Sequence, residues 1–272
     1  MKHKIKNIEK AAERIKKAVQ QKERIILYGD SDLDGISSVV ILEEAIKSLG
    51  GNVDSALFPD REKDGYGISI KALQMLKPKA PALFITLDLG ISNIKEVDFA
   101  NELGLEVIII DHHETLMGIP NALVIVDPKQ KTDDYKFKGL ANVGITYNLC
   151  LELLGEDISE NLKNSFLELA ALGTIADMVP RLEQNQEIIE KGLRSLKSTF
   201  RPALIAFKEI IGEGAIWEGS LLKVISAFNA AESIDFKNES YQLLVNPSLE
   251  ECKEIAQSLL AKNQDKENQV KN

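Results

Sequence analysis

Three apolar runs in this sequence end on an acidic residue. Ile25-Ile26-Leu27-Tyr28 leads through Gly29 to Asp30, and Ala82-Leu83-Phe84-Ile85-Thr86-Leu87 leads to Asp88. Val107-Ile108-Ile109-Ile110 leads to Asp111-His112-His113. Short, β-branched runs bounded by polar residues read as strands buried on both faces of a parallel sheet. Ligands bind such sheets at the carboxyl ends of the strands, so a fold that buries these runs gathers the acids and the imidazoles at one edge. The Asp-His-His step holds two of the three histidines of the chain. It is a poor way to fill a core and a good way to hold a divalent cation. Asp177, in Gly173-Thr174-Ile175-Ala176-Asp177, adds a fourth signal of the same kind.

The spacing between the runs supports this class. Residues 4–22 read as an amphipathic helix with a lysine-rich outer face, which is a solvated face rather than a nucleic-acid arm. Strand-like stretches at 24–29, 53–58, 82–88, 105–110 and 123–126 then alternate with helical ones at 36–49, 68–76 and 92–103. The alternation predicts an α/β fold, a parallel sheet with helices on both faces. From residue 140 the pattern is helical, over 143–154, 157–176, 183–198, 201–211 and 248–262. Ser248 stands as N-cap of the last, with Glu251 at the capping-box position. The expected organisation is an N-terminal helix over 1–23, an α/β metal-binding part over 24–140, a helical part over 141–265 and a fraying polar tail over 266–272.

Composition narrows the setting. The length of 272 residues allows a sizeable core, and no apolar run is long enough to cross a bilayer. The N-terminus lacks the apolar stretch of a secretory signal, and Cys150 and Cys252 are too few for a disulfide framework or a zinc ribbon. These features point to a reducing, cytoplasmic setting. A net charge of −9 argues against a broad nucleic-acid surface but leaves room for a local basic channel. His3 carries no expected role, and Trp217, without aromatic companions, reads as packing.

Asp30, Asp32 and Asp34 alternate beside Gly35. Two carboxylates about 4 Å apart repel by roughly 4 kcal/mol at an effective dielectric near 20, so clustering several calls for a cation. An EF-hand loop is excluded, because its twelfth position is Ile41 rather than Glu and a strand precedes it. Carboxylates with an imidazole suit Mn²⁺ or Mg²⁺, as one ion or as a pair about 3.5–4 Å apart acting on a phosphoryl centre. Asp88 is the candidate bridge and His112 a ligand. His113 is placed to steady the phosphoryl group or protonate a leaving oxygen, and Asp111 to orient a histidine. The plainer readings are that Asp88 is a helix N-cap and His113 a structural hydrogen-bonding residue.

These motifs together resemble the DHH phosphoesterase superfamily, and within it the RecJ-type exonuclease branch. The resemblance rests on Gly29 to Ser38, on Asp88-Leu89-Gly90-Ile91-Ser92, on Asp111-His112-His113 and on Gly173 to Pro180. Pro59 to Ile68, with its Gly65-Tyr66-Gly67, and Asn229-Ala230-Ala231 select the branch. The likeness implies that Asp34, Asp88, His112 and Asp177 hold one ion. Asp32 and Asp88 would hold a second, with Asp30 beside them at the reacting centre. It implies substrate contacts from Ser38 and Arg61. Tyr66 either packs its turn or stacks on a base.

Several positions depart from the branch. Leu89 stands where Asn is usual, Asn142 where a Gly is, Glu232-Ser233 where Gly-Arg follows the Asn-Ala segment, and Tyr28 where neighbouring branches carry a histidine. Lost arginines would weaken nucleic-acid binding. The expected activity is metal-dependent release of 5′-mononucleotides from the 5′ end of single-stranded DNA. The alternatives are a phosphodiesterase of short RNA or small nucleotides, and a nuclease-like scaffold in a replication or repair assembly. The C-terminal substrate-binding domain of DHH enzymes has no counterpart here, so the expectation is either a catalytic core cut from a longer protein or a stand-alone core that borrows substrate binding from a partner protein.

Overall fold

A computed structural model describes residues 4–115, 118–212 and 219–271. His3 and Trp217 lie outside the described residues. The chain opens with α1 (Ile8–Gln20), whose apolar stripe Ile8, Ala11, Ala12, Ile15 and Ala18 is buried. Then come β1 (Ile25–Gly29), α2 (Leu33–Ser48), β2 (Val53–Leu57), α3 (Ile70–Leu76), β3 (Ala82–Leu87), α4 (Ile94–Glu102), β4 (Leu105–Ile110) and β5 (Val124–Val126). The helical part comprises α5 (Asn142–Leu154), α6 (Glu160–Ala176), α7 (Glu183–Ser195), α8 (Pro202–Ile211) and α9 (Leu221–Asn229). A two-residue hairpin, β6 (Ser233–Ile234) and β7 (Lys237–Asn238), precedes α10 (Glu239–Val245) and α11 (Leu249–Lys271).

The first five strands form one parallel sheet in the order β2-β1-β3-β4-β5. The chain leaves β1 on one side to form β2 and returns on the other to form β3, so the order reverses at β1. Side chains alternate across the sheet. Ile25, Leu27, Ile85, Ile108 and Ile110 join the larger core with α1, α2, α5 and α6. Ile26, Tyr28, Phe84, Val107 and Ile109 face α3, α4 and Phe236. Burying each such side chain is worth about 1.5–3 kcal/mol, which fixes the register, since a one-residue slip would turn every side chain to the wrong face.

The larger core runs across residue 140 without a break: Val39 and Leu42 of α2 share it with Val143, Ile145, Phe166 and Leu169 of α5 and α6. The boundary expected near residue 140 therefore falls in a connection between packed elements. The end of the chain differs from expectation. Ser248 does cap α11, its Oγ accepting from the Glu251 N–H at 3.3 Å, but the helix continues through the stretch expected to fray from residue 266. Asn263 is buried on it, and Lys262 reaches Glu239 at 2.8 Å. Beyond Asn263 the helix is polar because residues 264–269 are all exposed. Among the described residues no helix is long and apolar enough to cross a membrane. Both cysteines are buried free thiols.

Candidate metal centre

The strand register builds the site. Gly29 pairs with Leu87, Leu87 with Ile110, and Ile110 with Val126. The next residues of these strands therefore form a row, Asp30, Asp88, Asp111 and Asp127, separated by about one strand spacing, ~4.8 Å. The backbone continues the ladder through it: the Asp30 N–H donates to Leu87, that of Asp88 to Ile110 and that of Asp111 to Val126, at 3.1, 2.9 and 3.1 Å. Asp88 takes a left-handed conformation, φ 66°, which costs about 1–2 kcal/mol for most residues and is best tolerated by Asp and Asn.

Asp32 and Asp34 arrive on the start of α2, which begins at Leu33, earlier than periodicity alone predicts. Asp32 is the N-cap, accepting from the N–H groups of Asp34 and Gly35 at 3.1 Å. The Leu33 N–H donates to Asn229 Oδ1 at 2.9 Å, which ties the Asn229-Ala230 segment to the same turn. Gly35 is required here, since a Cβ would lie 2.5 Å from the Asp30 carbonyl oxygen. Asp34 is buried and accepts from the N–H groups of Asn142 and Val143, both at 2.8 Å. It thus satisfies two of the free donors at the N-terminus of α5. Asp177 closes the group from the end of α6.

His112 is buried, and its Nδ1 lies 3.0 Å from the Leu140 carbonyl oxygen. A carbonyl can only accept, so Nδ1 carries the proton and Nε2 presents its lone pair. That lone pair points at Asp88 Oδ1, 3.2 Å away. Burial, then the charge of His113, lowers the His112 pKa to about 4. The imidazole is therefore neutral near pH 7, and this contact is not an ion pair. Asp88 Oδ1, His112 Nε2 and Asp177 Oδ2 are all buried without a hydrogen-bond partner among the described residues. Burial first, then neighbouring carboxylates, pushes Asp34 and Asp88 well above the usual carboxylate range, and Asp177 up to about 6. Unpaired buried acceptors of this kind are costly, and a divalent cation would satisfy them together. Ligand atoms fall into three compact groups, Asp34–His112–Asp177, Asp88–His112–His113 and Asp30–Asp32–Asp88. Asp88 and His112 each belong to two of them.

Asp111 serves His113. Its Oδ1 lies 2.7 Å from His113 Nδ1 and also accepts from the N–H groups of His112 and His113, while Oδ2 accepts from Ile91 N–H. Burial opposes ionisation of both groups, but their mutual hydrogen bond and charge outweigh it. The Asp111 pKa is lowered and that of His113 is raised. Tyr66 sets its hydroxyl 3.3 Å from His113 Nε2, and the two rings meet edge to face. Arg61 lies beside Tyr66 and holds Asp30 and Asp32.

Ser38 does not join the site. It is fully buried on α2, where its hydroxyl bonds the Asn142 side chain at 3.0 Å. Its expected substrate contact is corrected, because the packing of α2 on α5 leaves it no exposed surface. Leu89 and Tyr28 also turn inward: Leu89 joins the smaller core, and the Tyr28 hydroxyl bonds Gly67 and Ser69. Asp127, at the end of β5, repeats the strand-end signal but serves a turn, accepting from Lys129 N–H and the Gln130 side chain. The Leu140 carbonyl, which sets the His112 tautomer, was hidden from sequence reading because any residue supplies a carbonyl.

The profile of the DHH family, N-terminal domain, matches residues 24–174. Among curated proteins, the chain is 37% identical over 270 residues to the single-stranded-DNA-specific exonuclease RecJ of Bacillus subtilis (strain 168), covering 98% of this chain and 34% of that one. It is 31% identical to the RecJ of Escherichia coli (strain K12), covering 96% of this chain and 48% of that one. The chain thus spans between a third and a half of the length of these relatives. Among solved structures, an exonuclease RecJ bound to manganese superposes with a TM-score of 0.84 at 26% identity, over 98% of this chain and 68% of that one. RecJ of Thermus thermophilus in complex with Mn²⁺ superposes at 0.81 and 25% identity, over 98% and 39%. With more than half of its residues in the family profile and the strand-end acids in place, the chain belongs to the DHH family.

Proposed function

We propose that the chain is the divalent-cation-dependent core of a RecJ-like exonuclease that releases 5′-mononucleotides from the 5′ end of single-stranded DNA. One observation carries the reading: Asp88 Oδ1 and His112 Nε2 face each other, buried and without a hydrogen-bond partner among the described residues, with Asp177 Oδ2 also unpaired. In this reading Asp34, Asp88, His112 and Asp177 hold one cation. Asp32 and Asp88 hold a second, with Asp30 beside it. Mn²⁺ or Mg²⁺ there supplies a Lewis acid for the phosphoryl oxygens and a more nucleophilic water. Leu140 keeps His112 in the tautomer that can ligate. Asp111 holds His113 as a proton donor facing the scissile phosphate, and Tyr66 and Arg61 border the approach.

The relatives support the substrate and the metal: the curated ones are named for single-stranded DNA, and the solved RecJ structures hold Mn²⁺. A partner protein and a cytoplasmic setting belong to the same proposal. The test is digestion of end-labelled single-stranded DNA, RNA and dinucleotides with and without Mn²⁺. Mn²⁺-dependent mononucleotide release from DNA at the highest rate is expected, with none from Asp88→Ala. Cleavage that persists in chelator, or a clear preference for dinucleotides, would overturn it.

A further inference from the structure

Arg61 is distinguished by what it holds. Its Nε donates to Asp30 Oδ1 at 2.8 Å, and one terminal nitrogen donates to Asp30 Oδ2 at 2.5 Å and to Asp32 Oδ2 at 2.8 Å. Asp30 Oδ1 also accepts from Ser31 N–H at 2.7 Å. Both oxygens of Asp30, only 2% exposed, are thus engaged. The other side of the centre is the reverse, with Asp88 Oδ1, His112 Nε2 and Asp177 Oδ2 bare. The two halves are prepared differently: one presents lone pairs, and the other is already neutralised by a guanidinium.

A guanidinium stays charged at any working pH. A divalent cation entering among Asp30, Asp32 and Asp88 would sit against it in a half-buried site, where like charges repel strongly. The side chain has somewhere to go. It is 44% exposed and borders a groove of about 500 Å³ shared with Asn229, Glu232 and Lys266. Its turn braces itself: Asp64 Oδ2 accepts from Asp60 N–H at 3.1 Å, and Asp60 Oδ1 accepts from Glu62 N–H at 3.0 Å. The guanidinium can therefore leave while the backbone stays.

We infer that Arg61 is an internal counter-ion that closes the second cation site. The first cation binds the Asp34, Asp88, His112 and Asp177 side without hindrance. The second binds at Asp30 and Asp32 only by displacing the guanidinium into the groove. This inference rests on the cation reading of the centre. Occupancy is then ordered, and the second site is the weaker one because of the residue at position 61 rather than for want of carboxylates.

The test is calorimetric titration of the full chain with Mn²⁺, wild type against Arg61→Gln and Arg61→Lys. We expect the first site unchanged and the second tightened about tenfold or more in Arg61→Gln. Arg61→Lys, a point charge that cannot hold both carboxylates as a fork, falls between. Equal or weaker second-site binding in Arg61→Gln overturns the inference and leaves the proposed function standing. A wild type that binds no Mn²⁺ takes down both. The wild type also gives an answer by itself, through the Arg61 Nε–H resonance during a Mg²⁺ titration. It should hold through the first equivalent and move with the second, and a resonance that never moves overturns the inference.

Discussion

His112 and His113 are adjacent in sequence and opposite in environment. His112 is buried, neutral and fixed by Leu140 with Nε2 bare; His113 is half-exposed, held by Asp111 and raised in pKa. His112→Ala should therefore lose first-site Mn²⁺ in a metal-content assay. His113→Ala should keep it and lose about 10²–10⁴-fold in rate, the range for a positioned proton donor. Identical behaviour of the two variants would show the roles to be misassigned. The carboxyls give a second expectation. Burial, then Asp32, holds Asp177 up to about 6 against an ordinary 3.8, and Asp34 and Asp88 are raised as well. A carboxyl whose folded pKa lies above its unfolded value contributes stability that is present below the unfolded pKa and is lost as pH rises through the folded one. In the cation-free chain these carboxyls should thus raise Tm as pH falls from about 7.5 to about 6.5; below that, His112, lowered to about 4 from an ordinary 6.5, opposes the gain. Mn²⁺ binds the ionised form, so its Tm gain should shrink over the same window. A gain independent of pH would count against protonation of these ligands.

Among the elements, α2 and α5 make the site by meeting end to end at Asp34. The carboxylate is both a buried charge among charges and the acceptor for two N–H groups of α5. Asp34→Asn removes the charge and keeps one acceptor oxygen. Without Mn²⁺ it should melt at or above wild type, and it should lose the Mn²⁺ response. Asp34→Ala leaves both donors bare, one more than Asp34→Asn, and should be less stable than it by about 1–3 kcal/mol. A Tm for Asp34→Asn as far below wild type as that of Asp34→Ala would show that the charge, not the cap, holds the two helices. The legibility of the sequence follows the same division. The strands and their terminal acids could be read because full burial demands unbroken apolar runs and the sheet geometry carries the acids to one edge. Periodicity places the start of α2 at residue 36 rather than Leu33, because Asp32 acts through a cap, which periodicity does not see. The burial of Ser38 is not legible in the sequence, because its face of α2 is decided by α5, more than a hundred residues away. The hairpin at Ser233–Asn238 was missed because two-residue strands leave no periodic pattern, although Phe236 fills the smaller core beneath the sheet.

For the whole molecule, the net charge of −9 is distributed so that it bears on substrate binding. The groove leading from Asp32 carries four acidic residues, Asp32, Asp60, Glu62 and Glu232, against the three basic residues Arg61, Lys63 and Lys266. The basic groups are already engaged: Arg61 with Asp30 and Asp32, Lys63 with Asp60 at 2.7 Å, and Lys266 with the Ala230 carbonyl at 3.2 Å. With four acidic residues against three basic ones, a strand in this groove finds little positive charge to neutralise its phosphates beyond the Arg61 guanidinium that the second cation would release. If the chain is the nuclease proposed, catalysis at the centre proceeds while the strand is held weakly, so cleavage by the 272-residue chain should be distributive. Intermediates of every length should accumulate, and binding should depend weakly on salt. Glu232 stands where RecJ-type sequences carry glycine before arginine; it lines the groove, 3.4 Å from Lys262, and its charge would oppose a strand passing there. Glu232→Arg should therefore tighten binding to single-stranded DNA and steepen the log–log salt slope by about 0.7, the contribution of one further phosphate neutralised on a single strand. The basal rate on saturating DNA should change little, because position 232 touches none of the proposed ligands. Fluorescence anisotropy across a salt series reads the slope, and a time course on labelled DNA reads the product lengths. An unchanged slope in Glu232→Arg would mean that the strand does not pass this wall and leaves the centre by another side.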